Sequence, residues 1–361
     1  MRLTVKVGSN VLTRADGLLD ITRMAALAEQ VAELRAQGHE LLLVSSGSIA
    51  SGRSELRRMN VGKLDAVDVR QLYSAVGQAR LISTYYSLFL HFGIHAGQVL
   101  TMKENFATRR HYLNQRNCME VMLQNGVLPI INENDTASVT ELMFTDNDEL
   151  SALVATMMDC RLLIILSNVD GIFTAPPTAP EATLLREVQP TDDLARFIQP
   201  GKSDFGRGGM LTKSSIARQV AKEGIEVVIA NGKREHILTD IVAGRPVPRT
   251  RFAPAPVDVS SVKRWLGHSA GFAKGAIRLN AGAVERVCGP QAVSILPVGI
   301  TQVDGQWDEH DIISVLGPGG QPLGVGRAEC SSEAARTLIG QRGHKPVIHC
   351  DYLYLDQLRE H

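Results

Sequence analysis

The sequence predicts an α/β chain, a mainly parallel sheet sandwiched by helices, followed by a small, mostly-β domain. Three observations predict it. Strand-like and helix-like segments alternate over the first 245 or so residues, and a stretch rich in proline and arginine follows. Beyond it the texture changes to short alternating runs separated by turn signals.

The elements follow in order. Residues 3–7 are apolar at alternate positions and end at Gly8, as a strand does. Met24, Leu27, Ala28, Val31 and Leu34 recur at helical spacing, and Gly38 closes that helix. Residues 41–44 form a continuous apolar run, the mark of a strand buried on both faces. The alternation continues with a helix at 69–92, an extended segment at 94–100, a helix at 110–124 and a strand at 127–131. A helix at 148–158, a strand at 162–166, a helix at 210–222 and a strand at 227–230 complete it. Pro246, Pro248, Pro254 and Pro256 make residues 246–273 read as a linker between a first domain at 1–245 and a second at 274–361. In the second domain, runs at 276–279, 294–298, 312–316 and 323–325 are separated by Asp304-Gly305 and Gly317-Pro318-Gly319-Gly320.

Composition narrows the function. Lys+Arg and Asp+Glu both number 38, so no global basic field attracts nucleic acid. The strand at 3–7 begins with no signal-peptide pattern before it, and no apolar stretch approaches the roughly 20 residues that span a bilayer. The five cysteines are widely spaced with no CxxC, as free thiols in a reducing cytosol are, so a cytoplasmic protein without membrane contact is expected. The ten histidines show no HExxH motif, and no structural zinc is expected.

Ligands collect at the carboxyl ends of parallel strands, and the polar, glycine-rich segments fall there. Lys6 and Gly8-Ser9 close the first strand and Ser46-Gly47 follow the second. Asn132-Glu133-Asn134-Asp135 and Ser167-Asn168 follow later ones. Asp146-Asn147-Asp148-Glu149 open one helix, and Gly206-Arg207-Gly208-Gly209-Met210-Leu211-Thr212-Lys213 open another. Each has an ordinary explanation: a lysine snorkelling from a sheet edge, a helix cap, a glycine turn. The last is not a Walker A loop, because Thr212 stands where glycine must precede the lysine. Their joint placement favours a site. Two cations, backbone N–H groups and nearby carboxylates suit phosphoryl transfer.

The motifs VKVGSNVLT (5–13), SSGSIASG (45–52), AVGQARL (75–81), INENDT (131–136), FTDNDELSALVA (144–155), SNVDGIFT (167–174) and GRGGMLTK (206–213) together resemble the amino acid kinase family. They match in family order and point to its glutamate-phosphorylating branch. GAIRLNAGAV (275–284) and SILPVGITQVDGQW (294–307) are similar to the PUA domain that many members carry. The resemblance implies an amino acid kinase fold and phosphorylation of the γ-carboxylate of L-glutamate by ATP with Mg²⁺, the first step towards proline. It implies that Lys6 and Lys213 stabilise the transferring phosphoryl group, with Asp148 orienting them and Asp146 nearby. Ser46, Gly47, Asn132, Asp135 and Asn147 would surround glutamate. Lys6, Gly8, Ser167, Asn168, Gly208, Gly209, Met210 and Lys213 would contact ATP. No protein metal ligand is expected, magnesium being held by phosphate oxygens and water. Arg207, Asn168 and Asn280 depart from the usual family residues at their positions. Proline as feedback inhibitor and a homo-oligomer, dimer or tetramer, are also implied.

Two rivals remain at this stage. Another enzyme of the fold would act on aspartate, acetylglutamate, a carbamate or UMP, but the INEND and DND segments and the tail disfavour it. RNA binding by the tail is disfavoured because residues 275–361 carry seven Lys+Arg against ten Asp+Glu, a net of −3.

Overall fold

The computed structural model describes residues 1–59, 62–106, 109–137, 144, 146–175, 179–189, 192, 210–256, 265–267, 269–289 and 291–355. The chain divides into two compact units. One comprises Met1–Lys103 with Gln115–Asp258, the other Glu104–Asn114 with Val259–His361.

The first unit is built on an eight-stranded sheet. Its strands are β1 (Arg2–Val7), β2 (Glu40–Ser45), β3 (Ala96–Thr101), β4 (Leu128–Glu133), β5 (Leu162–Ser167), β6 (Glu187–Val188), β7 (Glu226–Asn231) and β8 (Arg249–Phe252). They lie in the order β3-β4-β2-β1-β5-β7-β8-β6, with every neighbouring pair parallel except β7 and β8. β5, Leu-Leu-Ile-Ile-Leu-Ser, is buried at all six positions. Each large aliphatic side chain so removed from water contributes roughly 1.5–3 kcal/mol, which makes the central strands the stable part of the unit. The helices are α1 (Ser9–Leu12), α2 (Ile21–Ala36), α3 (Ser48–Glu55), α4 (Ala66–Leu90), α5 (Arg109–Gln124), α6 (Asn147–Met157), α7 (Met210–Lys222) and α8 (Ile237–Val242). α2 buries the five residues whose spacing announced it, and Asp20 caps it by accepting the Arg23 N–H. Asp65 caps α4 in the same way through the N–H groups of Val67 and Asp68.

The linker expectation needs correction. Within residues read as linker, Arg249–Phe252 form β8, paired to β7 on one side and β6 on the other. Thr250 is fully buried and holds two segments together, accepting the Ile172 N–H and donating to Leu185 O. The four prolines flank this strand rather than interrupt it, so the punctuation was real and the four residues between were hidden.

The second unit holds a five-stranded sheet in the order β10-β9-β11-β12-β13, formed by β9 (Gly275–Leu279), β10 (Ile300–Gly305), β11 (Ile312–Leu316), β12 (Pro322–Ala328) and β13 (Ile348–Leu355). The short helices α9 (Ala281–Val287) and α10 (Ser332–Leu338) accompany it. Ile277, Leu279, Ile313, Val315 and Ile348 centre its core. The run at 294–298 is not a strand: Ile295 makes one isolated bridge to Ile348, and Pro297–Gly299 form a 3₁₀ turn. Segment 104–114, numbered among the first domain's residues, packs in this unit. Phe106 O accepts the indole N–H of Trp265 at 2.9 Å, and the Arg109 guanidinium lies 5.6 Å from the Trp265 ring centroid.

Candidate active site

A cleft of about 350 Å³ opens at the carboxyl ends of β1, β2, β4 and β5. Every described residue given a role from the sequence lines it: Lys6, Gly8, Ser46, Gly47, Asn132, Asp135, Asp146, Asn147, Asp148, Ser167, Asn168, Met210 and Lys213. Gly208 and Gly209, with Arg207, lie outside the described residues. Strand polarity explains the convergence: parallel strands deliver the residues that follow them to one edge.

At one side, two lysines from distant elements meet one carboxylate. Lys6 Nζ, from β1, lies 2.6 Å from Asp148 Oδ1, and Lys213 Nζ, from the first turn of α7, lies 2.9 Å from Oδ2. Asp148 is fully buried. Burial pushes its carboxyl up, but the two ammonium groups outweigh it and hold the pKa at about 2. The trio carries a formal charge of +1 at the cleft wall, which favours an anion. Gly8 leaves the approach open: a Cβ there would sit 3.1 Å from Leu166 O and 3.3 Å from Lys6 Nζ.

α6 begins at this point. Asp146 caps it, Oδ1 accepting the N–H groups of Asp148 and Glu149 at 2.9 and 3.1 Å. Its Oδ2 is buried and has no hydrogen-bond partner among the described residues. Burial, and then the charge of Asp148, pushes Asp146 up to about 6. The capping explanation weighed from sequence therefore holds for Asp146, and it accounts for one oxygen only.

The other side is an amide and carboxylate network. Asn147 Nδ2 lies 3.1 Å from Ser45 O and Ser46 Oγ and 2.9 Å from Asn132 Oδ1. Asn132 donates in turn to Gln78 Oε1 at 2.8 Å. Asp135 Oδ2 accepts the Ser48 hydroxyl at 3.1 Å, and Oδ1 accepts Arg70 Nε at 2.9 Å. Gly47, at φ 108°, turns the chain from β2 into α3 and aims the start of that helix at the cleft.

Arg70 lies outside every motif quoted from the sequence, and Gln78, Ser48 and Glu133 stood inside quoted motifs without an assigned role. A signal existed for the first two. On α4, Arg70 and Gln78 fall on the stripe occupied by buried Ser74, Gly77 and Leu81. A guanidinium on a buried stripe asks for a partner.

Glu133 accepts the Phe144 N–H at 3.0 Å and Arg70 Nη2 at 3.0 Å. Burial first, and then Asp135, pushes its carboxyl up to about 7, against the pull of Phe144 N–H and Arg70. An unfolded glutamate titrates near 4.5, so between 4.5 and about 7 the folded protein keeps a proton that the unfolded chain has lost. Stability from this group is present below that window and lost as pH rises through about 7. Glu133→Gln is expected to flatten the pH dependence of the unliganded melting temperature between about pH 5.5 and 7.5. An unaltered slope would mean that Glu133 is ionised throughout.

The sequence profile of the amino acid kinase family matches residues 1–231, and that of the PUA domain matches residues 275–349. The chain is 58% identical over 357 residues to the glutamate 5-kinase of Bacteroides thetaiotaomicron, covering 98% of both chains. It is 45% identical to that of Chlorobaculum tepidum, covering 98% of this chain and 97% of the relative. With that of Geobacter sulfurreducens it shares 36% over 359 residues, covering 99% and 95%.

Proposed function

The chain belongs to the amino acid kinase family, and from that premise we infer that it transfers the γ-phosphoryl group of ATP to the γ-carboxylate of L-glutamate, giving L-glutamyl 5-phosphate for proline biosynthesis. The observation that carries the residue assignments is the Lys6–Asp148–Lys213 trio sharing a cleft with Asp135, Asn132 and Asn147.

The chemistry asks little of proton transfer. A γ-carboxylate is already ionised at pH 7, so one of its oxygens attacks the γ-phosphorus without a general base. A new P–O bond forms, the bond to the β,γ-bridging oxygen breaks, and ADP leaves with that electron pair. The barrier lies in bringing two anions together, and fixed cations lower it. Lys6 and Lys213 take the phosphoryl oxygens, while Asp148 holds both lysines in place. Asp135 takes the α-ammonium of glutamate, and Ser46 and Asn147 orient the acceptor. Gly8, Ser167, Asn168 and Met210 border the nucleotide, with Gly208 and Gly209 assigned there by their motif alone.

Mg²⁺ fits this cleft. Asp146 offers a buried carboxylate oxygen without a partner among the described residues, and the cation would otherwise ride on ATP phosphates. When bound, it neutralises phosphate charge. Proline shares the α-amino acid head group of glutamate, so the Asp135 region also suits it as feedback inhibitor. Exposed Tyr86, Leu90 and Phe92 at the end of α4, with Leu100 on edge strand β3, support a homo-oligomer. Free thiols support a cytoplasmic location, and no described helix is long and apolar enough to cross a membrane. The domain arrangement we adopt is a kinase domain ahead of a PUA domain with a structural or regulatory role. Its net charge of −3 over residues 275–361 disfavours RNA.

The test is hydroxylamine trapping of acyl phosphate with ATP and Mg²⁺, with ADP release followed in parallel. Glutamate-dependent hydroxamate is expected, with none from aspartate, N-acetylglutamate or UMP. Turnover with one of those acceptors instead would keep the fold and overturn the substrate.

A further inference from the structure

We propose that Arg70 is a positioning residue of the acceptor site, clamping Asp135 from α4 so that its carboxylate meets the substrate's α-ammonium and the site prefers amino-acid acceptors to plain dicarboxylates. This rests on the glutamate reading above and names a residue that the motifs do not contain.

Glu133 and Asp135 stand two residues apart at the end of β4, 5% and 7% exposed. Two buried carboxyl groups so close repel one another when both are ionised, and a shared cation offsets that repulsion. Arg70 supplies it from another element, with its own side chain 13% exposed. Its fork spans both: Nε donates to Asp135 Oδ1 at 2.9 Å, and Nη2 contacts Asp135 and donates to Glu133 Oε2 at 3.0 Å. Asp135 is held on its other oxygen by Ser48, the first residue of α3. The two carboxylate oxygens are therefore fixed by different helices: Oδ1 takes both Arg70 contacts, and Oδ2, with one bond from Ser48, keeps a lone pair for an ammonium. A lysine could neutralise this pair but could not bridge it in one plane.

The experiment compares the full-length wild type with Arg70→Gln and Arg70→Lys. It reads KM for glutamate and ATP, and competition by glutarate, which lacks the ammonium, and by 4-aminobutyrate, which lacks the α-carboxylate. In Arg70→Gln the glutamate KM is expected to rise about tenfold, the size of one weakened charged hydrogen bond. Affinity for 4-aminobutyrate falls in parallel, while glutarate inhibition and the ATP KM stay within about twofold, and Arg70→Lys falls between. An unchanged glutamate KM overturns the proposal. So does equal weakening of glutamate and glutarate, which indicates a merely structural loss. Weakening of glutarate but not 4-aminobutyrate would overturn it too, because Arg70 would then bind the α-carboxylate directly. Absence of glutamate turnover in the wild type itself would instead sink the functional reading, and the two failures are distinct.

Discussion

Lys213→Ala is expected to give a folded protein that binds glutamate normally and turns over about 10²–10³-fold more slowly, the usual cost of removing one transition-state charge contact. Lys213 is 15% exposed on the surface of the Asp148 pair and enters from α7, so its loss leaves the buried Lys6–Asp148 contact intact. Lys6→Ala should cost at least as much activity and more stability, because Lys6 is 5% exposed inside central strand β1. Asp148→Asn separates the two roles. That carboxyl, held at about pKa 2, is ionised at every working pH, and the amide would leave two neighbouring ammonium groups uncompensated. A destabilisation of about 3–5 kcal/mol is expected, as when one member of a buried ion pair is removed. Single-turnover ADP formation and thermal melts of the three variants check this. Turnover of Lys213→Ala within a few-fold of wild type would remove Lys213 from the phosphoryl-transfer step.

How far the sequence led depends on where each functional group is anchored. Lys6, Ser46, Asn132, Asp135 and Ser167 sit at or just after strand ends, so the order of strands along the chain was enough to gather them. Lys213 and Asp148 were legible as helix-start residues, and their meeting is a consequence of where α6 and α7 fall beside the sheet. Arg70 and Gln78 were not assigned, because they lie within α4 and reach the cleft only through its packing, which their place on the buried stripe hints at without fixing. β8 was hidden by its flanking prolines, and the grouping of Glu104–Asn114 with the second unit depends on contacts with Trp265 that no local pattern announces. The AVGQARL motif had a family match but no physical reason. Its glycine supplies one.

Gly77→Ala is expected to cost more stability than most core truncations, although alanine is the better helix former. Alanine in a helix interior ordinarily gains about 0.5–1 kcal/mol over glycine. Here α4 crosses α3 so closely that a Cβ on Gly77 would stand 1.8 Å from Ser48 O and 2.3 Å from Gly52 N. Gly52 faces the same constraint, its Cβ falling 1.9 Å from Tyr73 O. The atoms in the way are backbone on both sides, so no side-chain rotamer relieves the collision and the helices must separate. Overpacking of this kind costs about 1–3 kcal/mol where side chains yield, and the upper end or beyond is expected where they cannot. The displaced residue is Ser48, which donates to Asp135, while Gln78 next to Gly77 holds Asn132. Gly77→Ala should therefore raise the glutamate KM well before it affects ATP, since Lys6, Asp148 and Lys213 come from β1, α6 and α7. Denaturant unfolding and paired KM measurements on whatever fraction folds will decide. A gain in stability, as helix propensity alone requires, would mean that the two backbones are not in contact.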